Sequence, residues 1–369
     1  MGKHRKTRRV YDTALTFENI HEAWHTVAHT CKNKRGVFEF AVFGHVRIEK
    51  ILQELKERRY FPNKFRCFMI FEPKARLVMS QSIRDKIVNH FVTKQYLIPL
   101  LERCLIDTNV ATRKKKGSVY ATKTIRRYFS ELLAEDDSRP IYALKIDVAK
   151  YFYTIDHEIL FQMLRKKIRD GDVIEILRRI VNETNKSYIN KVIDGFNEFY
   201  RTEIPHYKKG KGLSIGAMTS QFLAIFYLNE VDHYIKEELK CKYYIRYMDD
   251  FLILSRDKQE LKRAFLRISE ELQKIKLKVN SKSAIYNCSS EAGFPFLGYR
   301  YCVAKRGNIV GGEREFLRVI CLSETVRRIR RRLFNLTKFN KEKYERSRVA
   351  YKGYFLWALP RWRGVETMR

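Results

Sequence analysis

The spacing of apolar positions divides the chain into stretches of different rhythm. Residues 15–60 carry apolar side chains at helical intervals, which predicts helix with one interruption near Gly36. Arg66 to Phe71 is an apolar, aromatic run of strand length. Helical spacing returns from Ile83 to about Leu101 and again from Thr122 to Leu133. From residue 141 the alternation sharpens. Ile141 to Val148 has strand character, Glu158 to Ile168 and Val173 to Val181 have helical spacing, and a long helix is expected from about Ala217 to Glu238. In YYIRYMDDFLIL (243–254) aromatic and β-branched residues crowd both arms of a tight turn, which predicts two adjacent strands. Asp257 with Glu260 three residues later has the form of a capping box. Leu261, Phe265, Ile268, Leu272 and Ile275 then fall on one helical face. Phe294 to Val303 reads as strand and Lys305 to Asn308 as a hairpin turn. Beyond Ser323, Lys and Arg alternate with Leu and Phe up to Arg348, predicting two basic amphipathic helices that close on Tyr351, Tyr354, Phe355 and Trp357. Helices, then mixed strand and helix, then helices again describe an α+β core with helical ends.

Composition narrows the partners. The chain has 369 residues, 45% of them apolar, enough for two or three substructures with a real core and too apolar for a disordered chain. Seventy-five Lys and Arg against 42 Asp and Glu leave a formal charge of +33. A surface this basic repels itself unless a polyanion lies against it, so nucleic acid is expected ahead of an anionic membrane. The longest apolar runs, such as Phe222 to Leu228, fall well short of the roughly 20 residues of a membrane span. Basic residues gather at Arg113, Lys114, Lys115 and Lys116, at Lys208, Lys209 and Lys211, and at Arg327, Arg328, Arg330, Arg331 and Arg332; these are the candidate nucleic-acid contacts. Residues 1–14 read as a basic arm. No apolar core follows it, so a secretory leader is not expected and the location expected is cytoplasmic. Seven scattered cysteines without a CxxC pair argue against a disulfide framework and against a zinc site.

In so basic a chain, the placement of the acids is informative. Asp147 ends the strand ALKID, and Asp249 and Asp250 sit at the turn of YMDDFL. A strand is a costly place for a bare carboxylate. Alone, Asp249 and Asp250 are also what an ordinary hairpin turn carries. Together with Asp147 they make a cation site of oxygen ligands suited to two Mg²⁺ ions, with Mn²⁺ as a substitute. Two metals about 4 Å apart activate an attacking hydroxyl and stabilise the leaving oxygen of an in-line phosphoryl transfer.

YMDD at 247–250 resembles the central catalytic motif of reverse transcriptases, and LKIDVAKYF at 144–152 resembles their first. LSIGAMTSQ at 213–221 resembles the IGxxxSQ segment of certain bacterial members. LKVNSKS at 277–283 resembles the lysine-bearing segment after the palm helix, FLGY at 296–299 the primer grip, and EPKAR at 72–76 the fingers segment that holds incoming nucleotide. All six occur in family order. The resemblance implies a right-hand polymerase fold: fingers over 15–140, a palm of antiparallel RRM-like sheet and packed helices over 141–304, and a basic helical thumb over 305–369.

The same resemblance assigns roles. Asp147 and Asp249 would hold the two metal ions, with Asp250 contributing more loosely and the Val148 carbonyl as a further ligand. Phe152 matches the steric gate that excludes a ribose 2′-OH, or is a core aromatic. Arg76 would grip the triphosphate with its fork of donors, and Lys74 would assist or contact template phosphate. Ile215, Gly216 and Gln221 would lie at the nucleotide. Lys282, or its neighbour Lys278, would protonate the leaving pyrophosphate. Phe296, Leu297, Gly298 and Tyr299 would position the primer end, or form a buried strand end. The implied substrates are dNTPs, a structured non-coding or template RNA, and an RNA/DNA hybrid. An accessory protein or a homo-oligomer stays open, and no membrane is involved.

The form of the third motif points to the reverse transcriptases of diversity-generating retroelements and to the related unassigned, defence-associated lineages. Ser214 stands where proline is usual in the former and Ala217 where asparagine is usual, and the fingers segment reads ATRKKKGSVYA (111–121) where an ACRxGKG-like sequence is more typical. These departures favour a defence role over mutagenic copying. About 70 residues follow FLGY, so an RNase H or endonuclease domain is not expected. A catalytically silent RNA-binding protein would share the charge but would not need all three aspartates.

Overall fold

The computed structural model describes residues 10–72, 74–135, 139–308, 312–356 and 358. The basic N-terminal arm, up to residue 9, and Trp357 lie outside the described residues. In chain order the elements are α1 (Val10–Ala14), α2 (Phe17–Thr30), α3 (Lys34–Ala41), α4 (Gly44–Lys56), β1 (Arg66–Ile70), β2 (Arg76–Ser80), α5 (Ile83–Val92) and α6 (Ile98–Leu101). Then follow α7 (Ser118–Ala134), β3 (Tyr142–Asp147), α8 (Tyr151–Thr154), α9 (His157–Lys167), α10 (Gly171–Val181), α11 (Ser187–Tyr200), α12 (Met218–Tyr227) and α13 (Asn229–His233). The chain ends with β4 (Tyr243–Tyr247), β5 (Asp250–Ser255), α14 (Lys258–Lys274), β6 (Ala284–Asn287), β7 (Phe294–Phe296), β8 (Tyr299–Asn308), β9 (Gly312–Cys321), α15 (Ser323–Phe339) and α16 (Lys341–Phe355).

Two compact units share these elements. One comprises residues up to 107, 148–234 and 270–279; the other comprises 108–147, 235–269 and 280 onward. In the first, β1 and β2 form an antiparallel ribbon with Cys67 opposite Met79. Its inner face, with Leu77 and Met79, packs on Ile189 and Ile193 of α11 and on Ile204 and Tyr207. In the second, an antiparallel sheet of order β4-β5-β3-β6 lies beside a three-stranded sheet of order β7-β8-β9. α7 supplies Ile125, Tyr128, Phe129 and Leu132 to one core with Ala143, Ile245, Leu252, Phe294 and Tyr301 from both sheets. The expected α+β class is what is observed.

Several local expectations are corrected. Gly36 is not a break: it lies inside α3, and its N–H donates to the Asn33 side chain that caps the helix. The breaks fall at residues 31–33 and 42–43. The expected long helix from Ala217 is divided at Leu228 into α12 and α13, followed by a π-helical turn at Tyr234–Glu238. Lys305–Asn308 is not a turn, because pairing of β8 with β9 continues as far as Asn308↔Gly312. Asp257 does cap α14, accepting from the Gln259 N–H at 2.7 Å, but Glu260 takes the Ser255 hydroxyl instead of closing a box.

Candidate active site

The three candidate aspartates are brought together by strand register. In the β3–β5 pair Asp147 stands directly opposite Asp250, and in the β4–β5 pair Asp250 stands opposite Tyr247. Only Met248 and Asp249 remain to make the turn, so Asp249 sits at the tip of the hairpin whose base faces Asp147. Met248 has φ 56, the positive value that the first central position of such a tight turn demands. All three carboxylates lie at the end of the sheet, where β3 and β5 leave the core, and are half-buried.

Neighbours in the same unit orient them. Asn280 Nδ2 donates to Asp147 Oδ2 at 2.8 Å, and its N–H donates to the Asp147 carbonyl at 2.7 Å. The Asp147 N–H donates to Ser283 Oγ at 3.1 Å. The loop 280–283 therefore holds the end of β3 by backbone and side chain together. Lys145, two residues earlier on the same face of β3, places its ammonium 3.4 Å from Asp250. The sequence gives no sign of these partners: LKVNSKS stands out by its lysines, while Asn280 and Ser283 make the contacts. Lys282 is exposed, with its N–H bonded to Asn280 Oδ1 at 3.2 Å, and Lys278 is exposed as well.

Among the described residues no three His, Cys, Asp or Glu side chains form a ready metal cage. Asp147 is engaged by Asn280 and Asp250 by Lys145, and Mg²⁺ is usually held by one or two carboxylates with water and substrate phosphate completing its shell. Paired strand-end carboxylates of this kind fit that mode of binding. Val148, whose carbonyl is a candidate ligand, is buried and bridged to Val279, both within the helical unit.

The FLGY segment lies in the sheet unit. Phe296 and Tyr299 are paired and buried, and Leu297 and Gly298, with φ 48 and 88, form a two-residue turn. The turn is clamped by α16. Tyr354 donates its hydroxyl to the Gly298 carbonyl, Tyr299 donates its hydroxyl to the Tyr354 carbonyl at 2.8 Å, and the two rings stack 4.5 Å apart. Burial raises the hydroxyl pKa of both tyrosines, so both remain donors. A methyl at Gly298 would lie 2.8 Å from the Tyr354 hydroxyl. In α15, Val326, Ile329 and Leu333 are buried against Phe355, which leaves Arg327, Arg330, Arg331 and Arg332 exposed and Arg328 half-buried. Arg113 donates to the Asn109 carbonyl at 2.9 Å, Lys114 and Lys115 are exposed, and Lys116 lies 3.9 Å from the Tyr120 ring centroid.

The helical unit holds the remaining candidates. Arg76 opens β2 and is exposed, as is Lys74; neither has an ion pair among the described residues. The Met79 N–H donates to the Ile215 carbonyl at 2.9 Å, so the segment Ile215–Gly216 runs beside the strand that Arg76 opens. Gly216 has φ 120, and a Cβ there would press on the Met79 carbonyl at 3.2 Å, so the close approach requires glycine. Phe152 and Gln221 are half-buried, and the Phe152 carbonyl accepts from the Leu213 N–H at 2.7 Å. Lys208 and Lys209 are exposed. Lys211 is instead half-buried 4.0 Å from Asp156, which also pairs with Lys276 at 2.9 Å. Burial alone would raise the Asp156 pKa, but Lys276, the Ile159 N–H and Lys211 together bring it below its ordinary value. Lys211 thus has a partner within the fold.

Aspartates presented at a paired strand end and hairpin turn, with Lys145 beside them, are the acidic feature of the sheet unit. The family model described as "Reverse transcriptase (RNA-dependent DNA polymerase)" matches residues 56–301, two thirds of the chain, and the protein belongs to that family. With membership comes the right-hand polymerase type of fold that the motifs implied. Among curated proteins the chain is similar to the group II intron-encoded protein LtrA of Lactococcus lactis subsp. cremoris, 24% identical over 236 residues, covering 63% of this chain and 35% of the relative. The chain therefore spans about a third of the length of the curated relatives it matches. Among solved structures it is similar to an apo telomerase of Candida tropicalis (14% identity, TM-score 0.45, 67% of this chain and 56% of that one). It is also similar to the Candida albicans telomerase in complex with a fragment of telomeric RNA (12% identity, TM-score 0.48, 85% and 59%). No helix among the described residues is long and apolar enough to cross a membrane.

Proposed function

We propose that this protein copies an RNA template into DNA, and that the template is a dedicated structured non-coding RNA whose phosphates offset the +33 charge. The observation that carries the reading is the register Asp147↔Asp250 with Asp249 at the intervening hairpin turn, in a chain that belongs to the reverse transcriptase family. Asp147 and Asp249 would hold Mg²⁺, or Mn²⁺ in its place, with Asp250 and the Val148 carbonyl assisting. Bound there, two such ions lower the pKa of the attacking primer hydroxyl and neutralise charge on the leaving pyrophosphate.

The chain's own residues do the rest. Asn280 and Ser283 keep Asp147 aimed. Arg76, exposed at the start of β2, would take the triphosphate, with Lys74 beside it. Phe152 would exclude a 2′-OH, Ile215, Gly216 and Gln221 would line the nucleotide, and Lys282 would give a proton to the departing pyrophosphate. Phe296 to Tyr299 would carry the primer end. The exposed arginines of α15 and the lysines of the loop 113–116 would lie along the phosphates of the RNA/DNA hybrid. In this reading residues 15–140 are fingers, 141–304 palm and 305–369 thumb.

The biological role we assign is antiphage defence, supported by Ser214, Ala217 and the segment ATRKKKGSVYA (111–121), which depart from the retroelement pattern. The test is to purify the protein from its native host, as wild type and as Asp249→Ala with Asp250→Ala, and to sequence the bound nucleic acids. DNA complementary to one bound RNA, present only in wild type, is the expected result. Substitutions concentrated at template adenines would assign the protein to a diversity-generating element instead. The same RNA without cDNA in both samples, before and after phage infection, would leave only an RNA-binding protein.

A further inference from the structure

Arg246 is the bulkiest of the fully buried side chains among the described residues, with 0% exposure. It lies in β4, one residue before the YMDD segment, paired with Phe251 of β5. Its backbone is bonded on the other edge as well: its N–H donates to the Thr108 carbonyl and its carbonyl accepts from the Val110 N–H, both at 3.0 Å. The guanidinium Nη1 donates to the Met248 carbonyl at 2.6 Å, and its Cζ lies 5.8 Å from the centroid of the Phe251 ring. A guanidinium taken out of water is costly, and an aliphatic residue would fill a strand position without that cost. What the guanidinium reaches is therefore informative.

It reaches the one peptide group that aims Asp249. The Met248 carbonyl and the Asp249 N–H belong to a single planar peptide unit. Fixing that carbonyl fixes the plane from which Asp249 departs. Met248 needs the help, because φ 56 is a conformation that an L side chain adopts at a cost of about 1 kcal/mol or more. A charge-assisted hydrogen bond is among the stronger means of holding it. The backbone of Arg246 also anchors residues 108–110, from which the basic loop carrying Arg113 departs. One buried residue thus joins the catalytic turn and that loop.

We propose that Arg246 is the positioning residue of the catalytic hairpin: through the Met248 carbonyl it sets the orientation of Asp249 for metal binding. The proposal rests on Asp249 being a metal-holding carboxylate, as read above. The test uses the full chain with Arg246→Met, which keeps bulk and loses the donor, and Arg246→Lys, which keeps charge and loses the fork. Mn²⁺ affinity is measured by electron paramagnetic resonance titration, alongside thermal melting and single-nucleotide extension over a range of Mg²⁺. Arg246→Met is expected to weaken Mn²⁺ binding about tenfold and to raise the Mg²⁺ needed for half-maximal extension by a similar factor. It should lower kcat while the KM for primer–template stays within twofold. Arg246→Lys is expected to fall between, about threefold weaker. A folded Arg246→Met protein with wild-type Mn²⁺ affinity and Mg²⁺ requirement overturns the proposal. If Arg246→Met does not fold, wild-type values in Arg246→Lys overturn it. A wild-type protein that binds Mn²⁺ but extends no primer refutes the polymerase reading, and the Mn²⁺ comparison still decides the role of Arg246.

Discussion

The reciprocal contact between the turn at Leu297–Gly298 and α16 can be taken apart one atom group at a time. Tyr354→Phe removes only the hydroxyl. The Gly298 carbonyl keeps a second donor, the Leu322 N–H at 3.0 Å, so it is not orphaned. The bond to Gly298 is worth about 1 kcal/mol, and the contacts of the same hydroxyl with the Thr325 and Cys321 side chains are lost with it. Gly298→Ala puts a side chain at φ 88 and a methyl 2.8 Å from the Tyr354 hydroxyl. The backbone alone costs about 1–2 kcal/mol, and displacing the hydroxyl costs the same hydrogen bond of about 1 kcal/mol. Both substitutions break one shared contact, so the double variant should be less destabilised than the sum of the singles by about 1 kcal/mol. Chemical denaturation gives the stabilities. Release of a labelled primer–template after a single turnover gives the functional consequence, with each single variant dissociating several-fold faster. Additive stabilities, or a Tyr354→Phe protein that matches wild type in both measurements, would show that the clamp carries no energy.

Three further outcomes are expected. Asp249→Asn and Asp147→Asn should each reduce primer extension by about 10²–10³-fold or more, because a carboxylate that would hold the metal ions is lost and with it their stabilisation of developing charge, while hybrid binding in a filter assay changes little. Phe152→Ala should improve incorporation of ribonucleotides relative to deoxynucleotides by roughly 10–100-fold, as a steric filter is removed; an unchanged ratio in competitive incorporation would make Phe152 a core aromatic. Asp156 has a folded pKa below its ordinary value of 3.8, so its contribution is complete above that value and lost as pH falls through the lower folded one. Asp156→Asn should therefore destabilise the protein at neutral pH and flatten the acid limb of its stability curve, read from melting temperatures across pH 2.5–6 on the order of one unit apart.

The parts legible from sequence were those in which one local signal fixes one local structure. The hairpin at YMDD was readable because aromatic and β-branched arms flank a turn, and β3–β5 register then brings Asp147 opposite Asp250. α14 was readable from Asp257 and a regular apolar face. α11 was not: SYINKVIDGFNEFY mixes glycine, asparagine and β-branched residues, and the helix forms because Ile189 and Ile193 have the β-ribbon to pack against. β9 was not read as a strand, since it depends on long pairing with β8. Arg246 and Asn280 carried no chemical signal in sequence. A strand arginine becomes informative only when its burial is known, and Asn280 only when the end of β3 lies beside it. The pairing of Lys211 with Asp156 was likewise hidden, because the two lie far apart in sequence and meet only in the fold.

The order of the strands has a consequence for when the protein acquires its chemistry. β3 lies between β5 and β6 in the sheet, and the Asn280–Ser283 loop that grips Asp147 precedes β6. A nascent chain that has reached residue 255 already carries all three aspartates, but β3 still has one edge unpaired and Asp147 is ungripped. The clamp on Leu297–Gly298 waits longer still, until Tyr354 has been made. Synthesis therefore delivers the acids first and their alignment last. Chains that stop short of residue 283 carry the three acids without the Asn280 and Ser283 grip on Asp147.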